Sequence, residues 1–116
     1  MAPWRWSIVY LYLGAVVGHE QAGNRPALIV SDETFNQVMN VVTVLPVTTR
    51  KTGRQVYSNE IMLQAGRYGL EEESIVLAHQ ICTVSKNRIK RRVGIVSDKA
   101  VQESCLEAVR IHLGMY

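Results

Sequence analysis

The chain is poor in the residues that usually announce cross-linking or metal chemistry. It has two cysteines, three histidines, three prolines and one phenylalanine among 116 residues. Cys82 and Cys105 form no CxxC pair and no Cys/His cluster, so no metal-ligand spacing is present. They read as free thiols of a reducing compartment, with one disulfide as the alternative. His19, His79 and His112 show no metal-binding spacing either. There is no GxSxG elbow, no P-loop and no HExxH helix. The pattern leaves metal-free chemistry, or none, and calls for no cofactor. No apolar run is long enough to span a bilayer. The best candidate, "SIVYLYLGAVV" at 7–17, contains two tyrosines and lacks a small-x-small cleavage site, so it is not a signal peptide. It reads as a buried strand and its exit, in a cytoplasmic protein with no membrane partner. Internal repeats and low-complexity segments are absent as well.

What is present fits one globular domain over residues 1–116. Apolar residues make up 47% of the chain, enough for a real core at this length. The net charge of +3, with an isoelectric point near 9.1, hints modestly at an anionic partner. β-branched and aromatic residues dominate the first two-thirds. Strands are expected at 8–13, 27–31, 41–48, 57–63 and 74–84. Pro46 suggests an edge or a bulge in the third. A helical turn is expected at 32–38 behind a Ser31 or Asp32 cap. Residues 50–54 read as a basic loop and 85–92 as a basic connector. Ser97 is placed to cap a last helix, with Val101, Cys105, Ala108, Val109 and His112 at helical spacing and Leu106 and Leu113 alongside. Many short strands followed by one helix predict a small antiparallel barrel closed or flanked by that helix.

Polar residues gather at strand ends. "GHEQAGNRP" at 18–26 interrupts two apolar segments with glycine-spaced polar residues. Pro26 holds Arg25 out of helical geometry, at the start of an extended segment. Thr48 and Thr49 end the third strand, followed by Arg50 and Lys51. His79 and Gln80 interrupt an otherwise apolar strand. Taken singly, each has an ordinary structural explanation. Arg25 can pair with Glu20 at the surface, Thr48 is a common strand residue, His79 can face solvent and His112 can pack along its helix. The run "KNRIKRR" is a solvated connector, or a phosphate path that neutralises charge without reading bases.

Three segments taken together resemble the MazF/PemK (Kid) family of toxin endoribonucleases. "GHEQAGNRPALIVS" is similar to that family's G-x-E-Q-x-G-x-R-P and following strand. "VVTVLPVTTR" is similar to its strand ending in P-x-T-[ST]. "SIVLAHQICTVSKNRI" is similar to its V-L-x-[DE]-Q-I-R-T-[VI]-[DS]-K-x-R-[LI] segment. Order and spacing agree from about residue 5 to the C-terminal helix. The resemblance implies a mainly β fold with a C-terminal helix, an SH3-like antiparallel β-barrel of the CcdB/MazF/Kid type, and a homodimer. It implies metal-independent, sequence-specific cleavage of single-stranded RNA, commonly mRNA, through the ribose 2′-OH. It also implies a cognate antitoxin whose acidic flexible tail occupies the RNA groove. Carried over by position, the catalytic residues are Arg25 and Thr48. His79 stands where the family has an acid proposed as general base. His19, Glu20, Gln21, Thr49, Arg50, Lys51, Gln80, Lys86 and Arg88 are the expected RNA-binding residues.

The chain departs from the family pattern at five positions. His79 replaces the acid, Cys82 the arginine of the third motif, Ala15 a proline, Tyr12 an aspartate and Trp6 a glycine. Two other readings compete with an active nuclease. A CcdB-like toxin would bind gyrase without needing the Arg25/Thr48 pair. A barrel that binds RNA but has lost activity would follow from the changes at 79 and 82.

Overall fold

The computed structural model describes residues 3–14 and 18–116. The strands are β1 (Ser7–Tyr12), β2 (Asn24–Ile29), β3 (Val41–Thr49), β4 (Glu60–Leu63), β5 (Ser74–Leu77), β6 (Cys82–Ser85) and β7 (Ile89–Ile95). A one-and-a-half-turn helix α1 (Glu33–Val38) follows β2, and α2 (Lys99–Leu113) ends the fold. The strands form one antiparallel sheet in the order β4-β5-β3-β2-β1-β7, with β6 also paired to β3. A mainly β fold with a C-terminal helix is therefore correct. Ala15 and the rest of the expected strand exit at 15–17 lie outside the described residues.

β3 organises the sheet. Along one edge it pairs with β2, matching Ala27 to Pro46. Along the other it pairs first with β6, ending at Val44 opposite Cys82, and then with β5, starting at Val47 opposite Val76. From Val44 to Val47 β3 advances three residues, whereas the opposing chain spans six between Val76 and Cys82. The surplus loops out as a 3₁₀ turn at Ala78–Gln80. Pro46 stands in β3 at this gap, where its missing N–H costs no ladder hydrogen bond. One expectation is corrected here: residues 74–84 are two short strands around a turn. Of the two readings of Pro46, an edge or a bulge, the second agrees with the structure, since Pro46 is buried in mid-strand opposite the looped-out surplus.

Both faces of the central strands are covered, which is why β1–β3 read as apolar runs instead of alternating. Ile8, Leu28, Leu45, Val47, Val76 and Val96 pack beneath Cys105 and Ala108 of α2. Val9, Leu11, Ala27, Ile29, Val42 and Val44 form a second cluster capped by Trp4, Leu13, Cys82 and Ile89.

Local capping explains the helices. Asp32 caps α1 by accepting from Thr34 N at 2.9 Å. Burial opposes ionisation of Glu33, but hydrogen bonds from Arg5 N, Gln37, Trp4 N and Asn36 outweigh it and hold the carboxyl at about 2. The N-terminal arm is thereby tied to α1. The cap of α2 is Asp98, not Ser97, and its side chain caps no helix amide. Instead its carboxylate accepts from Arg67 at 2.6 Å and from the Tyr68 hydroxyl. Gly114 ends α2 in the left-handed conformation. His112 and Leu113 are exposed, although the His112 ring still meets His79 and Asn59. β4 begins at Glu60, three residues later than expected, and β2 begins at Asn24, three earlier. Residues 89–92 belong to the edge strand β7, not to a connector. Ile89 is half-buried there, while Lys90, Arg91 and Arg92 are exposed, a charge pattern suited to an unpaired edge.

The turn after β4 meets β7 backbone to backbone. A Cβ at Gly94 would lie 2.0 Å from the Tyr68 carbonyl oxygen, and one at Gly69 would lie 2.1 Å from that of Val93. This contact draws the two ends of the sheet together. Gly94→Ala is expected to lower stability by roughly 1–3 kcal/mol through overpacking, read as a fall in the urea midpoint. An unchanged midpoint would contradict the close approach.

Candidate functional site

The β2–β3 ladder brings together two residues that are 23 positions apart in the chain. The β2–β3 ladder ends with Ala27 opposite Pro46, and just beyond it Arg25, paired to Leu11 of β1, comes against Thr48, paired to Ile75 of β5. Arg25 Nη1 lies 3.5 Å from Thr48 Oγ1, and Arg25 Nε donates to the Ala22 carbonyl at 2.9 Å. The second bond fixes the plane of the guanidinium while leaving Nη2 without a partner among the described residues. The surface pairing of Arg25 with Glu20 does not occur.

Three neighbouring clefts follow one another here, the second lined by Thr48 and the third by both residues of the pair. The first, about 420 Å³, runs between Glu20 and Gln21 on one side and β6 on the other, and ends at Arg88. The second holds His19, Thr48, Thr49 and Lys51. Gln21, His79 and Gln80 line both of these. The third holds Arg25, Thr48 and Thr49 with Arg91 and Glu72. His79 and Gln80 reach the clefts because the 3₁₀ turn opposite Pro46 pushes them out of the sheet. Ten of the twelve expected site residues thus border connected space. Arg50 and Lys86 do not. Arg50 is ion-paired with Glu73 at 2.8 Å and donates to the Arg54 carbonyl. Lys86 sits over the Trp4 ring, 4.5 Å from its centroid, and donates to the Asn36 carbonyl.

Beneath the second cleft lies a network that sequence reading missed. Glu60 is buried, with 1% of its side chain exposed. Arg54 Nη1 and Nη2 donate to its two oxygens at 2.8 Å each, Tyr57 N donates at 3.1 Å, and His79 Nε2 lies 2.7 Å from Oε2. The Arg54 fork brings the Glu60 carboxyl down to about 2; burial pulls the other way, and the bonds to His79 and Tyr57 N help Arg54. An ionised carboxylate only accepts, so His79 Nε2 carries the proton of that bond. Nδ1 then holds the ring's lone pair whenever the ring is neutral. The His79 and His112 rings meet in a T-shaped arrangement, with centroids 6.2 Å apart. In sequence, Glu60 looked like an ordinary polar strand residue and Arg54 like loop charge. Only a glutamate at the head of an apolar strand hinted otherwise.

Cys82 also lines the first cleft. Burial pushes its thiol above the ordinary value, and the nearby Arg88 pulls it back in part. Cys105 lies in the core, and both thiols are free. Among the described residues no cluster of three His, Cys, Asp or Glu side chains is placed to hold a metal ion. No helix of the described residues is long and apolar enough to cross a membrane.

The Glu60 network carries a pH dependence. Its folded carboxyl titrates at about 2, below the ordinary 4.5, so ionisation favours the fold. That contribution is complete above 4.5 and is lost as the pH falls toward 2. Glu60→Gln is expected to cost roughly 3 kcal/mol at pH 7, with the gap to the parent narrowing at pH 3. Chemical denaturation at both pH values measures this, and a gap that stays constant would refute it.

Residues 4–113 match the family described as the PemK-like, MazF-like toxin of type II toxin-antitoxin system. The Endoribonuclease MazF of Staphylococcus saprophyticus is 34% identical over 109 residues, covering 93% of this chain and 89% of the relative. A crystal structure of MazF from Deinococcus radiodurans aligns with a TM-score of 0.78 at 28% identity, covering 96% of each chain. The fold is shared with an endoribonuclease solved in complex with its cognate antitoxin from a Mycobacterial species. There the TM-score is 0.79 at 24% identity, covering 99% of this chain and 98% of the other. The chain belongs to the PemK-like, MazF-like family of toxins of type II toxin–antitoxin systems.

Proposed function

We propose that this protein is a toxin endoribonuclease that cuts single-stranded RNA, mRNA included, without a metal ion. The observation that carries the reading is the Arg25 guanidinium, held by Ala22 and set against Thr48 across β2–β3. In the proposed reaction the ribose 2′-OH attacks the adjacent phosphorus. The P–O5′ bond breaks and the departing 5′ oxygen takes a proton from solvent water, leaving a 2′,3′-cyclic phosphate and a 5′-OH. Arg25 stabilises the extra negative charge on the phosphorane, and the Thr48 hydroxyl donates a second hydrogen bond to the same phosphate. His79 accepts the 2′-OH proton at Nδ1, with its ring oriented by Glu60. Glu60 acts through His79 and is a positioning residue. The carboxylate lost at position 79 is replaced by a His–Glu pair. Arg88 provides a guanidinium on the cleft wall that carries Cys82, where the family motif has an arginine.

His19, Gln21, Thr49, Lys51 and Gln80 contact the bound strand in this reading, and Glu20 borders its path. An acidic antitoxin tail is attracted by the same cations, so it competes with RNA. The active form is a homodimer, in which two such sites flank one groove. Its proposed substrate places the protein in the cytoplasm. Gyrase binding needs no Arg25/Thr48 pair, and nothing at the end of α2 favours it.

Purified protein is expected to cut single-stranded RNA in EDTA and to leave the matching DNA intact, because DNA lacks the nucleophile. Arg25→Ala should lower the single-turnover rate by about 100-fold or more with an unchanged melting temperature. Undiminished cutting by that variant would remove Arg25 from the mechanism. Saturating acidic antitoxin peptide should abolish cutting, and persistence of activity would disprove the shared groove.

A further inference from the structure

The stripe of α2 that packs on the sheet carries Cys105 and Ala108, both buried. His112 continues that stripe, one turn beyond Ala108, so its side chain leaves the helix on the same side. There it meets His79 instead of the core, at 6.2 Å between ring centroids and 60° between ring planes. Gly114 closes the helix just after it, its N–H bonded to the Arg110 and Ile111 carbonyls, so the turn that presents His112 is finished and not frayed. Adjacent residues where β4 begins hold the two rings. Glu60 takes His79 Nε2 at 2.7 Å, and Asn59 Nδ2 lies 3.4 Å from His112 Nδ1. An amide nitrogen only donates, so His112 Nδ1 accepts and the neutral ring carries its proton on Nε2.

We infer that His112 is a positioning residue that fixes the plane of the His79 ring and so aims Nδ1 at the bound ribose. This rests on the proposed role of His79 as the group that takes the 2′-OH proton. The reason is geometric. The hydrogen bond from Nε2 to Glu60 pins one atom of the ring and leaves the ring free to tilt about it. Nδ1 stands away from that pivot, so a tilt swings it. The cleft side of the ring is open, with 27% of the side chain exposed. The second constraint comes from the α2 side, where the His112 ring bears on it. A carboxylate at position 79 would offer two equivalent oxygens and several lone pairs. A neutral imidazole offers one lone pair, in the plane of its ring, so its tilt decides whether it can accept the proton. The histidine at 79 therefore calls for a contact that a carboxylate there would not need, and His112 supplies it. Small errors of aim at a reacting group carry large rate penalties.

The test compares the parent chain with His112→Ala, which removes the ring, and His112→Phe, which keeps a flat ring without its nitrogens. Single-turnover cleavage at saturating protein should slow by roughly 10- to 100-fold in His112→Ala, and His112→Phe should recover most of that loss. Fluorescence anisotropy on an uncleavable oligonucleotide, 2′-deoxy at the cut site, should give the same Kd for all three. The melting temperature should hold as well, because His112 is exposed. In a His79→Ala background, His112→Ala should cost nothing further. An equal loss with and without His79 would place the effect elsewhere and overturn the inference. So would a loss that appears as weaker binding or a lower melting temperature, or a His112→Phe variant as slow as His112→Ala. NMR of the His79 ring nitrogens tests the same point without RNA. The parent should show one sharp set of signals with the proton on Nε2, and His112→Ala should broaden or double them while that proton stays in place. Signals unchanged by His112→Ala would also overturn the inference. If His79→Ala cuts as fast as the parent, the proton-acceptor reading falls, and the ring signals alone decide whether His112 fixes the ring.

Discussion

The structure depends on one mismatch along the edge of β3. That strand pairs with two successive segments of the same stretch of chain, and the stretch is three residues too long for an unbroken ladder. Pro46 occupies the gap, where a residue without an N–H is tolerated. The excess becomes the 3₁₀ turn at Ala78–Gln80. A straight strand through this region would have left His79 and Gln80 within the ladder. The mismatch instead turns them outward, above the end of β3 that carries Thr48. Bulges of this kind re-aim side chains wherever a sheet must build a site.

On its other edge the same strand is in plain register with β2, and this places Arg25 opposite Thr48. Each residue is therefore positioned by backbone pairing, not by side-chain packing. That is a stiff way to hold a cation against a hydroxyl, because moving either one means breaking the ladder. Glu60 adds a second level of order. Buried and ionised, it is tied on one side to Arg54 and on the other to His79. The carboxylate thus joins the loop after β3, the head of β4 and the turn before β6. Charge elsewhere is used up locally. Arg50 is taken by Glu73 and Lys86 by Trp4 and the end of α1, so the cations left at the clefts are fewer than the sequence count suggests.

Much of this was legible in the chain itself. Glycine-spaced polarity and Pro26 marked Arg25, and the threonines after Pro46 marked the end of β3. Their joint resemblance to one toxin family pointed to the pair. The apolar runs marked β1 to β3. What misled was length. "SIVLAHQICTV" is apolar enough to read as one strand, because both of its halves pair with the same edge of β3. "KNRIKRR" read as a connector, because an edge strand with exposed cations carries no hydrophobic alternation.

The sequence by itself determined which side chains can do chemistry, and it set Arg25 and Thr48 at strand ends through the local rules of proline and glycine. Those rules act over a few residues and need no partner. The tertiary structure alone decided the rest. Register across β2–β3 paired Arg25 with Thr48, surplus length opposite Pro46 exposed His79, and burial made Glu60 the anchor of that histidine. Each of these depends on residues distant in the chain becoming neighbours, and hydrogen bonds and burial between such residues are defined only in the folded state.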